Sequence, residues 1–69
     1  MNKLTFASAT IERNHAIVIR LRAYGYRVIT TQDSHGYYVH VFIDNNEKER
    51  VYQIIEDVIA ELREQEEVL

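Results

Sequence analysis

The stretch from Tyr26 to Asp44, with the sequence YRVITTQDSHGYYVHVFID, constrains the fold more than any other part of the chain. It contains two runs rich in β-branched and aromatic residues, which are typical of strands. Between them lies Asp33-Ser34-His35-Gly36, a cluster of turn formers whose glycine can adopt a positive φ. The stretch therefore predicts a β-hairpin. Because an isolated hairpin is only marginally stable in water, other elements must cover one of its faces.

The segment before the hairpin predicts a short strand followed by a helix. Leu4 and Phe6 alternate with other residue types over residues 1–7, which is the two-residue period of a strand. Over residues 9–24 apolar residues recur at helical spacing, and Gly25 follows as the left-handed residue that commonly ends a helix. The apolar positions are Ile11, Ile17, Val18, Leu21 and Tyr24, and the candidate N-caps are Ser8 and Thr10.

The segment after the hairpin carries the strongest periodic signal in the sequence. Over residues 46–66 apolar residues fall at spacings of three and four, which predicts a second helix. Asp44, Asn45 and Asn46 are candidate N-caps, and Glu47 adds negative charge where the helix dipole favours it. The apolar positions are Val51, Ile54, Ile55, Val58 and Leu62.

The predicted order of elements is β-α-β-β-α within a single domain, residues 1–69. This order predicts an α+β two-layer sandwich, ferredoxin-like but lacking the last strand, with both helices on one face of a three-stranded sheet. With the hairpin strands at residues 26–32 and 37–43, we expect a right-handed crossover to place the first strand beside the third and parallel to it. The last strand of the full fold would pair with the first strand, so that edge is expected to be open.

Composition narrows the class of function. The chain has 69 residues and a net charge of −3, and an acidic chain is poorly suited to neutralising nucleic-acid phosphates. We therefore expect no binding to nucleic acid. Residues 1–35 carry five basic and two acidic side chains, whereas residues 36–69 carry three basic and nine acidic ones. This uneven distribution favours head-to-tail self-association or a charged partner.

Several kinds of chemistry have no signature in the sequence. There is no cysteine, no run of about 18 apolar residues and no apolar core of a secretion signal, so we expect a cytoplasmic protein that does not cross a membrane. His15, His35 and His40 are predicted on a helix, in a turn and on a strand, without the spacing of a metal site. A two-layer domain this small also offers little pocket for acid–base catalysis. We expect no metal, no cofactor and no enzymatic activity.

Alternation along the predicted strands identifies the face of the sheet that the helices leave uncovered. In the third strand the more aliphatic set is assigned to the core, and this set comprises Tyr37, Val39, Val41 and Ile43. The opposite set and its neighbours form an apolar and aromatic surface, which we call the outer face. Its residues are Arg27, Ile29, Tyr38, His40 and Phe42, ringed by Lys3 and threonines. Such a patch usually marks a contact site, and it is either buried in a homodimer or recognises another protein or a ligand, unless the strand phase is reversed.

The first helix ends in the pattern L-R-A-x-G-Y, formed by residues 21–26, and the second hairpin strand begins with the glycine-aromatic step Gly36-Tyr37. In this pattern the chain resembles SPOR-type modules and, equally, a small bacterial family described as signal-transducing proteins. SPOR domains bind peptidoglycan glycan strands in the periplasm through an exposed sheet face. The resemblance implies a glycan site on the outer face, at Ile29, Tyr38, His40 and Phe42. The sequence departs from that family in showing no membrane anchor or signal, no proline-rich linker and no closing strand.

These features predict a small noncatalytic protein–protein interaction module that binds through the outer face and the open strand edge. Short acidic proteins of this kind include bacterial regulators and the inhibitors that phages and mobile elements encode. The alternative is a SPOR-like glycan-binding module. Acidic residues of the second helix are expected to form a solvated face, or else to dock a basic protein or mimic nucleic-acid phosphates; they are Glu56, Asp57, Glu61, Glu64, Glu66 and Glu67.

Overall fold

Three strands and two α-helices make up the structure, a computed structural model that describes residues 2–67. In chain order the elements are β1 (Asn2–Ser8), α1 (Ile11–Ala23), β2 (Arg27–Asp33), β3 (Gly36–Ile43), a short 3-10 helix (Asn45–Glu47) and α2 (Lys48–Glu67). The predicted α+β class and the order β-α-β-β-α are confirmed.

The sheet has the strand order β1-β3-β2, so the expected position of β1 beside β3 is confirmed. The expected parallel orientation is wrong, because β1 and β3 pair antiparallel, with Asn2 opposite Ile43 and Ser8 opposite Tyr37. The crossover through α1 makes β1 parallel to β2, and the hairpin reverses the chain between β2 and β3. Since β3 lies between the other two strands, it runs opposite to both.

The turn between β2 and β3 is held by Asp33. Its Oδ1 accepts hydrogen bonds from the backbone N–H groups of His35 and Gly36, at 2.8 and 3.2 Å. Gly36 has a φ of +149°, a region that favours glycine over residues with a Cβ. Asp33 pairs directly with Gly36, so only two residues form the loop. The predicted hairpin and its turn are confirmed.

The end of α1 is a Schellman motif built on Gly25, whose φ is +91°. The N–H of Gly25 donates to the carbonyl of Arg22 at 2.9 Å, and the N–H of Tyr26 donates to the carbonyl of Leu21 at 3.1 Å. These two bonds satisfy carbonyl groups that the last helical turn leaves unpaired. They direct the chain into β2, as the glycine position predicted.

The two helices begin differently. Thr10 caps α1, because its hydroxyl accepts from the N–H of Arg13 at 3.2 Å, whereas the other candidate, Ser8, lies in β1. The 3-10 helix precedes α2, and in it the N–H of Glu47 donates to the carbonyl of Asp44. The side chain of Asp44 makes no cap bond. The segment before α2 is therefore ordered by the backbone rather than by an Asp44 side-chain cap.

The core lies between the sheet and the two helices. The buried apolar residues are Ile17, Val18, Leu21, Val28, Val39, Val41, Ile43, Val51, Ile54, Ile55 and Val58. They agree with the predicted stripes except at Ile11 and Tyr24, which are 56% and 52% exposed, and at Tyr37 and Leu62, which are only half-buried. The packed layer covers only the middle of α1. The four acidic residues 56, 57, 61 and 64 of α2 are exposed as expected, and the side chains of residues 66 and 67 lie outside the described part.

Candidate functional site

The register of the sheet arranges the outer face as three rows that cross the three strands. The middle row contains Thr5, His40 and Ile29, because Thr5 and Ile29 both pair with His40. One end row consists of Lys3, Phe42 and Arg27, and the other of Ala7, Tyr38 and Thr31. All five residues predicted for the site therefore lie together on one surface.

The burial pattern agrees with the predicted strand phase. Val39 and Val41 are completely buried, whereas the alternate residues of β3 on the outer face are only half-buried. Ile29, on the neighbouring strand, is 45% exposed. The half-buried side chains of β3 are flanked on both sides by residues of β1 and β2. Within residues 2–67 both helices pack on the opposite side of the sheet.

His40 stands at the centre of the outer face with both ring nitrogens paired. Nδ1 lies 3.0 Å from the hydroxyl oxygen of Thr5, and Nε2 lies 2.7 Å from that of Thr31. A neutral imidazole carries one donor and one acceptor, and a hydroxyl can take either role, so the two threonines match either tautomer. The ring is thereby fixed across all three strands.

The aromatic residues on either side of His40 each contact a charged residue. The guanidinium of Arg27 lies over the ring of Phe42, 5.4 Å from its centroid, in a cation–π arrangement. The hydroxyl of Tyr38 donates to Oδ1 of Asp33 at 3.3 Å. Partial desolvation, reinforced by the charge of Asp33 and by this hydrogen bond, raises the pKa of Tyr38 above its ordinary value of 10.0. Both rings are held in place by these contacts.

Charge is distributed unevenly along the outer face. Lys3 and Arg27 flank Phe42 at one end, and Asp33 lies beyond Tyr38 at the other. Among the side chains of residues 2–65, Arg20 and Glu61 form an ion pair on the helical layer. The hydrogen bond and charge of Glu61 raise the pKa of Arg20. No carboxylate in that part of the chain lies within salt-bridge distance of the two cations beside Phe42. That end of the face therefore carries two cations without a direct ion pair among those residues, with Asp44 in the adjoining surface depressions.

A groove of about 330 Å³ lies on the helical side, between α1 and β2. Asn14 lines it and is only 7% exposed, and its Oδ1 has no hydrogen-bond partner among the described residues. Arg22 also lines the groove and donates from Nη2 to the carbonyl of Val28 at 3.0 Å. Sequence reasoning missed both roles. Asn14 lies three residues from Ile17 and seven from Leu21, so helical spacing alone would have placed it on the buried stripe.

Within residues 2–67 no group of three or more histidine, aspartate or glutamate side chains is placed to hold a metal ion. Neither α1 nor α2 combines the length and the apolar composition needed to cross a membrane.

No protein-family model matches this chain, and no curated protein or solved structure is significantly similar to it. The resemblance to SPOR-type modules therefore rests on its sequence pattern alone.

Proposed function

We propose that this chain is a noncatalytic module that binds another protein through its outer face. The observation that carries the proposal is that polar groups in the middle of this face are already paired with one another. Thr5 and Thr31 satisfy the imidazole of His40, and Asp33 accepts from the hydroxyl of Tyr38. When a partner covers these groups, they stay hydrogen-bonded to one another. Burying the aromatic rings therefore costs little free energy from the removal of polar groups from water.

This internal pairing favours a protein partner over the glycan that the SPOR resemblance implies. A sugar site needs side-chain donors and acceptors directed at hydroxyl groups, in addition to apolar surface. Here the polar groups of His40 and Tyr38 are engaged within the face, while Phe42 and Ile29 contribute apolar area. Glycan binding remains the alternative, because the rings of Tyr38 and Phe42 stand side by side with His40 on an uncovered sheet.

The charges specify the chemistry of the partner. Lys3 and Arg27 favour a carboxylate opposite the Phe42 end of the face, and the neighbouring rings favour an apolar centre. We propose a protein surface of that kind as the ligand. In this proposal the chain is a cytoplasmic regulator or inhibitor of a bacterial protein, encoded by a bacterium, a phage or a mobile element. It uses no cofactor, nucleic acid or membrane.

The dimensions of the face predict the strength of binding. Three strands of seven to eight residues have a flat footprint of about 340 Å², from the usual rise and spacing of strands, and their accessible surface is somewhat larger. Each partner in a standard protein interface contributes roughly 800 Å². A single copy is therefore expected to bind transiently, or to bind a partner that also contacts a strand edge.

The experiment compares two double variants that remove apolar side chains from different layers. Tyr38→Ala/Phe42→Ala strips the outer face, and Ile11→Ala/Ile19→Ala strips two isoleucines of α1 that are each 56% exposed. Both variants and the wild type are used to capture proteins from a bacterial lysate, and the captured protein is then purified and titrated by calorimetry. The same three proteins are sedimented with purified peptidoglycan sacculi.

We expect the wild type and the α1 variant to bind the same protein equally well. The outer-face variant should bind at least about a hundredfold more weakly, since it loses two aromatic side chains of the kind that dominate interfaces. Adding Arg27→Gln should weaken binding and its salt dependence, because a cation is lost. Loss of sacculus binding in the outer-face variant alone would favour the glycan. Unchanged protein binding by a Tyr38→Ala/Phe42→Ala variant that is folded by circular dichroism would refute the proposal.

A further inference from the structure

The backbone hydrogen-bond pattern determines what each edge of the sheet offers. Asp33 and Gly36 flank a two-residue loop and so form a hydrogen-bonded pair, and such pairs alternate along each ladder. On β2 the backbone groups that point away from β3 therefore belong to Val28, Thr30 and Gln32. On β3, residues that bond to β2 alternate with residues that bond to β1. The backbone groups of β1 that point away from the sheet therefore belong to Lys3, Thr5 and Ala7. The short distance between the side chains of Thr5 and His40 agrees, since side chains approach most closely where the backbone bonds are absent.

The two edges differ at one carbonyl of β2, and within residues 2–67 the outward groups of Thr30 and Gln32 form no hydrogen bond. On β2 the carbonyl of Val28 accepts from the guanidinium of Arg22, and α1 runs alongside. On β1, no hydrogen bond formed within residues 2–67 involves the outward N–H and C=O groups of Lys3, Thr5 and Ala7. An open row of this kind is a template for an added strand.

From this geometry we infer that β1 pairs antiparallel with β1 of a second copy of the chain, giving a continuous six-stranded sheet. Thr5 is the middle residue of β1, so a twofold axis beside it aligns the whole strand with itself. In this register Thr5 faces Thr5 of the second copy, and Lys3 faces Ala7. All three outward-pointing residues then form hydrogen-bonded pairs.

The side chains of β1 are complementary in this register. On the helix side Leu4 faces Phe6 of the second copy, and both residues are only half-buried in the single chain. On the outer face Lys3 faces Ala7, so no like charges are directly opposed, and two threonines meet at the axis in a favourable cross-strand pair. A slip of one residue would oppose side chains that point to different faces. A slip of two residues would keep the faces matched, so the preference for this register rests on the Leu4–Phe6 and Thr5–Thr5 pairs.

Pairing of β1 has a consequence for the outer face. Two outer faces would lie side by side and double the flat footprint to about 680 Å², which brings the surface within the range of a standard interface. This consequence rests on the proposed function and deepens it. The pairing itself rests only on the strand edges.

Single-cysteine variants test the register, because the chain contains no cysteine of its own. Directly opposed residues of a hydrogen-bonded pair have Cα atoms about 5.5 Å apart, a distance that a disulfide can bridge. Oxidation should therefore convert Thr5→Cys to a covalent dimer. Ala7→Cys is the matched control, since its two equivalent positions would be about 13 Å apart along the strands. Ala7→Cys and Lys3→Cys should each stay uncoupled alone and cross-link when mixed.

A proline variant tests whether backbone pairing holds the two copies together. Ala7→Pro removes one outward N–H, and an edge strand tolerates proline where that group faces solvent. By light scattering it should be a folded chain whose dimer dissociation constant is at least about tenfold higher than that of the wild type. Ala7→Thr keeps the N–H and should dimerise like the wild type.

Two results would overturn the inference: a wild type that scatters as a monomer at its highest soluble concentration, or cross-linking of Ala7→Cys as readily as Thr5→Cys. Neither measurement requires a partner, so they are independent of the proposed function. Conversely, a monomeric wild type that loses its partner through Tyr38→Ala/Phe42→Ala would refute the pairing and leave the proposed function standing.

Discussion

Val28 and Ile29, neighbours on β2, provide a direct test of which face of the sheet is buried. Val28 is 5% exposed in the core, whereas Ile29 is 45% exposed on the outer face. Threonine is β-branched like both residues and is equally suited to a strand, so substitution mainly replaces a methyl group of Val28, or the ethyl branch of Ile29, with a hydroxyl. Val28→Thr and Ile29→Thr therefore compare the two faces with little change in backbone preference.

The expected effects differ several-fold. Val28→Thr places a hydroxyl in the apolar core, which costs about 1–3 kcal/mol. A chain of this length has a free energy of unfolding of roughly 3–10 kcal/mol, so this is a large fraction of the total. With a urea dependence of about 1 kcal/mol per molar, the unfolding midpoint should fall by about 1–3 M. Ile29→Thr keeps its hydroxyl in water and should cost about 0.5 kcal/mol or less.

Urea unfolding followed by far-ultraviolet circular dichroism measures both changes. The wild type and the two variants should have the same urea dependence, so that the midpoints report stability alone. A larger loss in Ile29→Thr than in Val28→Thr would mean that the helices cover the face carrying Tyr38, His40 and Phe42. That result would refute both the strand phase and the proposal built on it.

Two further predictions concern the end of α1 and the edge of the outer face. Gly25→Ala should lower stability by about 1–2 kcal/mol, because φ is +91° and no atom lies within 4 Å of the added Cβ, so the cost is backbone strain alone. Gly25→Asn should lose less, and equal thermal melting temperatures for the two variants would contradict this explanation. Since desolvation and Asp33 raise the pKa of Tyr38, its stabilising contribution should be complete below its ordinary pKa of 10.0 and lost as pH rises through the raised value. In an NMR titration of the tyrosine rings, Asp33→Asn should shift the pKa of Tyr38 towards the ordinary value, and an unchanged titration would rule out the contribution of that charge.

The sequence was sufficient to predict the elements and the strand phase. Val39 and Val41 alternate with Tyr38 and His40, and a two-residue period leaves only two choices of buried face. Gly25 marked the end of α1 because a left-handed residue is needed there. These features depend on local periodicity and on single backbone positions, which is why the sequence alone predicts them.

The contacts across the sheet could not be predicted in the same way. The bonds of Thr5 and Thr31 to His40 depend on the register of two ladders, and a sequence fixes neither register by itself. The expected parallel pairing of β1 with β3 is wrong because the crossover connects β1 to β2, so the handedness rule makes those two strands parallel and β3 antiparallel to both. The capping of Val28 by Arg22 requires α1 to lie beside the β2 edge, which only the packed structure provides.

The bond from Arg22 to the carbonyl of Val28 also bears on how large an assembly this chain can form. A chain with two free strand edges can add copies at both edges and grow into a filament, whereas a chain with a single free edge stops at a dimer. The guanidinium occupies one outward-pointing carbonyl of β2, so an added strand would have to displace it there, and edge-to-edge pairing is less favourable at β2 than at β1. If β1 pairs as proposed, the arginine thus disfavours growth beyond two copies from a position remote from the contact itself.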